Sequence, residues 1–178
     1  MAVFKKTEIQ LDHRFDSNRC RHYMNGQVSV LHCHHYATLY SQLADDCGML
    51  DGKELLAQCT EDAFFKTLTS YYEAQGVELV DDRIAIAEQY YAASGLGKMQ
   101  VVCAGAESGV VELLHSHIDD GWIKKWGKRD KPVNFITSGY IAALFSAVFG
   151  QSTRSFVVTE TASIVTGAER SRFNVVAQ

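Results

Sequence analysis

The sequence predicts an α+β fold, helices packed on an antiparallel sheet, and two features of its patterning carry that prediction. Apolar residues recur at helical spacing in successive runs between positions 31 and 95, and they do so again over 135–149. Shorter runs that read as strands follow Gly97, at 98–103, 109–117, 156–161 and 170–177. Helices first and a hairpin-built sheet later describe an α+β chain, not an alternating α/β one.

Residues 3–11 alternate loosely and read as a strand or an extended arm. Residues 16–26 are polar, with the turn formers Asp16, Asn18, Asn25 and Gly26. A first helix is expected over 31–47, where Leu31, Tyr36, Leu39, Tyr40 and Leu43 fall at helical spacing and Gly48 can end it. A second covers 51–75 on Leu55, Leu56, Phe64, Phe65, Leu68, Tyr71 and Tyr72. Gly76 suits its left-handed cap, and Thr60, Glu61 and Asp62 offer a restart within it. A third helix, capped by Asp81, carries Ile84, Ala87, Tyr90 and Tyr91 and stops at Gly95 and Gly97.

The strands 98–103 and 109–117 join through a glycine-containing turn at 104–108, which makes a hairpin. Residues 121–131 form a short amphipathic segment with Trp122 and Trp126 one helical turn apart, ended by Pro132, the only proline. The strongly apolar run 135–149 predicts a helix capped by Thr137 or Ser138 and ended by Gly150. Strands 156–161 and 170–177 close the chain around Gly167. With no internal repeat and no linker, a single domain over 1–178 is expected.

A formal net charge of −4 opposes the basic field that nucleic-acid binding needs. Lys124, Lys125, Lys128, Arg129 and Lys131 cluster beside Asp119, Asp120 and Asp130 and read as a solvated turn. No apolar leader or membrane span is legible, and five cysteines without a C-x-x-C pair suggest reduced thiols, so a cytoplasmic protein is expected.

Chemistry is concentrated in two histidine clusters. In the stretch 108–122, an extended strand would set His115, His117 and Asp119 on one side and turn Ser116 and Ile118 away. The second cluster, His32-Cys33-His34-His35, stands at the entry to the first helix. Together His32, His34, His35, His115, His117 and Asp119 could supply the nitrogen and carboxylate donors that zinc or non-haem iron takes. Helix caps or backbone-bonded histidines at a sheet edge would produce the same residues, and no named metal motif is present. No dinucleotide fingerprint, phosphate loop or nucleophile elbow occurs either. Whether the chain is an enzyme is left open.

Within residues 137–178 stand the run Gly139-Tyr140-Ile141-Ala142-Ala143-Leu144-Phe145, then Val158-Thr159-Glu160, then Gly167 and Phe173. In these the chain resembles the 4-vinyl reductase domain family of predicted hydrocarbon-binding proteins. The resemblance implies helices on an antiparallel sheet enclosing an apolar pocket, a fold that also resembles haem-type nitric-oxide sensors and subunits of vesicle-tethering complexes. The family pattern has two cysteines associated with zinc after its glutamate. Here those positions are Ser163 and Ser171, and serine is a poor ligand beside a thiolate.

These readings combine into a small-molecule-binding domain for a hydrophobic or aromatic ligand, with Tyr36, Tyr40, Tyr140, Phe145 and Glu160 as the residues expected around it. Buried tyrosines suit that role because each hydroxyl needs a partner, although aromatic stripes at helical spacing are usually core. The alternative is a divalent-metal protein or metal-dependent enzyme built on the two histidine clusters. The apolar helix 135–149 also offers a surface for a homodimer.

Overall fold

A computed structural model describes residues 7–30 and 33–178. Residues 7–12 have no regular structure and lie as an arm across two helices. The Ile9 amide donates to Gln89 Oε1 at 3.1 Å, and the Gln10 amide donates to the Tyr71 hydroxyl at 2.7 Å. Three short antiparallel strands follow, β1 (His13–Asp16), β2 (Arg21–Met24) and β3 (Gln27–Ser29). None of their residues is buried, so the alternation that marks a half-buried strand is missing, and the polar turn expected at 16–26 holds a hairpin instead. Its two-residue turn, Asn25-Gly26, takes positive φ at both positions, 48° and 78°, which matches the right-handed strand twist.

Of the five helices among the described residues, α2 (Gly52–Gln75), α3 (Val80–Ala93) and α5 (Phe135–Phe149) build the core over the larger sheet, while α1 (His34–Asp46) packs on α2 and on α4 (His117–Trp126). The second helix is continuous through Thr60, whose hydroxyl bonds back to the Leu56 carbonyl at 2.8 Å and does not restart it. It ends at Gly76 with φ 62°, in the left-handed cap that the sequence suggests. The third begins at Val80; Asp81 and Asp82 lie in its first turn, where carboxylates complement the helix dipole, and Asp81 is not the cap.

The larger sheet is antiparallel in the order β4-β5-β7-β6, from β4 (Gly97–Ala104), β5 (Ser108–Ser116), β6 (Phe156–Ala162) and β7 (Ser171–Ala177). One face presents Met99, Val111, Leu113, Phe156, Phe173 and Val175, all buried. Helix α5 is apolar around almost its whole circumference because it is covered on several sides, by α2, α3 and strands β6 and β7. Two glycines permit that approach. A Cβ at Gly139 would stand 2.1 Å from the Ala57 carbonyl oxygen, and one at Gly109 would stand 2.4 Å from Phe145 Cζ.

A smaller cluster of Ala37, Ile118, Trp122, Val133 and Val165 lies under α1 and α4. The Arg129 guanidinium covers the Trp122 ring at 4.8 Å and pairs with Asp45 of α1 at 2.9 Å. Among the described residues no helix is long and apolar enough to cross a membrane.

Candidate functional site: a buried carboxylate network

The centre of the molecule's polar chemistry is set by an irregularity in β5. Lys98 pairs with His115 while the next residue, Met99, pairs with Leu113, so Leu114 is an extra residue. Before this bulge Val111 and Leu113 face the core. After it the alternation is reset, so that Ser116 is fully buried and His115 is exposed. Ser116 then ends the strand as the N-cap of α4, its Oγ accepting from the Asp119 amide at 3.1 Å. The single face expected for His115, His117 and Asp119 therefore does not form. His117 and Asp119 are helical, and Ser116 and Ile118, expected to point away, are buried together with Asp119.

Asp119, fully buried, is surrounded by donors. Its Oδ1 accepts from the Val165 amide at 3.2 Å and the Ser163 hydroxyl at 3.5 Å; its Oδ2 accepts from Asn134 Nδ2 at 2.9 Å and the Ser171 hydroxyl at 3.3 Å. Asn134, directly before α5, is 1% exposed. Its second amide proton goes to Glu160 Oε1 at 2.8 Å, and its Oδ1 accepts from the Ser116 hydroxyl at 3.1 Å. Ser171 in turn accepts from the Ile164 amide at 3.0 Å. The network joins β5, α4, the start of α5, β6, the turn after it and β7.

Burial raises both carboxyls. Glu160 is pushed up to about 7, desolvation outweighing its hydrogen bonds and the nearby Asp119 adding to the rise. Asp119 is raised by desolvation too, against the opposing pull of its donors. Four hydrogen-bond donors and the first turn of α4 favour charge on Asp119. Ser163, Asn134 and Ser171 pull Glu160 toward its charged form, yet burial and the nearby Asp119 outweigh them, so Glu160 is the better holder of a proton. The Tyr91 hydroxyl lies close enough for both carboxylates to raise it further, and it shares a 2.9 Å hydrogen bond with Thr137.

The histidine clusters meet only in part. The rings of His34 and His35 lie 4.2 Å apart and those of His34 and His117 5.9 Å apart, with Cys33 Sγ 3.7 Å from His35 Nδ1. Desolvation, then the adjacent His35, holds His34 below its ordinary value. His115 is turned outward, beside Asp120, Glu169 and Arg170, and Asp119 is engaged in the interior. His32 lies outside the described residues. Among the described residues no group of three or more His, Cys, Asp or Glu side chains is arranged to hold a metal ion.

The residues expected around a ligand also separate. Tyr36 and Tyr40 stand 56% and 45% exposed on the outer face of α1. Tyr140 and Phe145 are fully buried in the core, where Tyr140 meets Phe64 and Tyr91 at ring distances of 4.7 and 4.9 Å and donates to the Ala87 carbonyl at 2.6 Å. Glu160 belongs to the Asn134 network. Ser116, Asn134 and the Asp119 carboxylate's inward turn were not anticipated. The Ser116-x-x-Asp119 spacing, a capping-box pattern, is the signal that points to them.

No family model matches the chain, and no curated protein does. Solved structures do. The phenol-responsive sensory domain of the transcription activator PoxR superposes with a TM-score of 0.75 at 16% identity, over 93% of this chain and 84% of that one. A vinyl-4-reductase family protein from Methanocaldococcus jannaschii gives 0.50 at 11% identity, over 80% of this chain and 76% of that one. A trafficking protein particle complex subunit 3 from Naegleria fowleri, covalently bound to palmitic acid, gives 0.53 at 12%, over 80% and 90%. The chain has the fold of the 4-vinyl reductase domain.

Within that fold, the positions that the sequence resemblance matches to the family glutamate and its two zinc-associated cysteines, Glu160, Ser163 and Ser171, do converge. The donor set there does not fit zinc. Two hydroxyls replace thiolates, and the amide nitrogen of Asn134 sits between the two carboxylates, within hydrogen-bond distance of both.

Proposed function

We propose that this 4-vinyl reductase-like chain is a small-molecule-binding domain for a hydrophobic or aromatic ligand, a phenol-sized ring being the first class to test. The observation that supports this reading most is the likeness, over nearly the whole chain, to a domain that responds to phenol. The interior between α2, α3, α5 and the sheet agrees with it in chemistry. Phe64, Tyr91, Tyr140 and Phe145 form an aromatic interior there, and the hydroxyls of Tyr91 and Tyr140, bonded to Thr137 and to the Ala87 carbonyl, would exchange those partners for a phenolic oxygen.

A ligand taken into this interior binds the folded state alone, so it raises the unfolding temperature with concentration. Thermal denaturation with phenol, alkylphenols and benzene-type hydrocarbons tests this directly. A saturable rise with at least one of these, weakened by Tyr140→Phe, supports the reading. No shift across the series at millimolar concentration contradicts it.

A further inference from the structure

We propose that the Asn134 amide takes over in this chain the fastening role that zinc would have among thiolate ligands, so that the fold is closed without any divalent metal. The positions that would carry the ligands are assembled, yet every one of them is engaged in a hydrogen bond. Asn134 has two amide protons and two carboxylate acceptors, Asp119 Oδ2 at 2.9 Å and Glu160 Oε1 at 2.8 Å, and its carbonyl oxygen takes the Ser116 hydroxyl at 3.1 Å. Both amide protons are committed to the carboxylates and the carbonyl oxygen is turned to Ser116, so the side chain presents donors, not ligands, to the space between the two acids.

The chemistry also explains why the substitutions go together. A cation between Asp119 and Glu160 would balance their charge and orient them; an amide N–H pair orients them in the same way without adding charge. A carboxyl beside it can then be neutral. Ser163 and Ser171, as hydroxyls, donate to Asp119 at 3.5 and 3.3 Å, which thiolates cannot do. Ser171 and Asp119 further capture the Ile164 and Val165 amides at 3.0 and 3.2 Å, so the turn after β6 is held by the network itself.

The test uses the untagged full chain. Metal analysis should find zinc far below one equivalent, and an excess of EDTA should leave the unfolding temperature within about 1 °C. Hydrogen exchange at the Ile164 and Val165 amides should stay equally protected with EDTA or with added zinc. Asn134→Ala should lower the unfolding temperature by more than about 6 °C and expose those two amides to exchange. Stoichiometric zinc, or loss of Val165 protection on chelation, would overturn the proposal. So would an Asn134→Ala protein as stable as the parent. If that variant does not fold, the chelation and exchange measurements on the unaltered chain decide the matter alone.

Discussion

Asn134 donates to Glu160 across 2.8 Å, and this pairing places a carboxyl group where burial favours its neutral form. The group is raised from an ordinary 4.5 to about 7, so between those values the folded state holds a proton that the unfolded state has released. Stability therefore falls as pH rises through that window and levels off above it, by roughly 3 kcal/mol at most. Glu160→Gln keeps an oxygen facing the Asn134 amide and removes the titration. Urea unfolding at about pH 5 and about pH 8 should show a clear loss for the parent chain and a much smaller one for the variant. Burial raises Asp119 in the same direction.

Removing Asp119 should be far more damaging than removing Glu160. Its two oxygens accept from Val165, Ser163, Asn134 and Ser171, and all four donors lose their acceptor in Asp119→Ala. Buried donors left unpaired cost about 1–3 kcal/mol each when water cannot reach them, so a loss above about 3 kcal/mol is expected. Asp119→Asn should recover little of it, because an NH2 group would face donors on either side. Equilibrium unfolding of the two variants at neutral pH checks both statements; near-parent stability in Asp119→Asn would contradict the donor arrangement.

Helix α5 makes a third prediction through its closest contact. A Cβ at Gly139 would meet the Ala57 carbonyl oxygen at 2.1 Å and the Thr60 side chain at 2.9 Å, and the first of these is backbone within a long helix. Neither helix can retreat without opening the packing of Tyr140 and Phe64. Gly139→Ala should cost about 1–3 kcal/mol or more, even though alanine is the better helix former. An unchanged or raised unfolding midpoint would show that α2 and α5 can move apart freely.

The fold was legible wherever burial imposes a period. Helix α5 spans Phe135–Phe149, the run the sequence marks, because a segment buried on several sides must be apolar almost throughout. The four strands of the larger sheet were legible for the same reason, since Val111, Leu113, Phe173 and Val175 line one face. The small sheet was not, because β1, β2 and β3 are short and bury little. The site was lost at two local events. An extra residue at Leu114 exchanges the faces of His115 and Ser116, and α4 begins at His117, so the strand period no longer applies to His117 and Asp119; nothing in the alternation of 108–117 announces either. Asn134 escaped for a different reason: an asparagine before a helix ordinarily caps it, and this one directs its amide to carboxylates on two other elements.

The pair formed by Tyr91 and Thr137 gives the last prediction, because it isolates one buried hydrogen bond between α3 and α5. Their oxygens lie 2.9 Å apart, and both residues are fully buried. Tyr91→Phe strands the Thr137 hydroxyl, and Thr137→Val strands the phenol, each at about 1–2 kcal/mol. The double variant replaces both polar groups by apolar ones of similar shape, so no unpaired group remains. Its loss should be no greater than that of the worse single variant, which gives a coupling of about 1 kcal/mol or more in a double-mutant cycle. Additive losses would mean that each hydroxyl finds another partner once the first is removed, and the packing between α3 and α5 would then owe nothing to this bond.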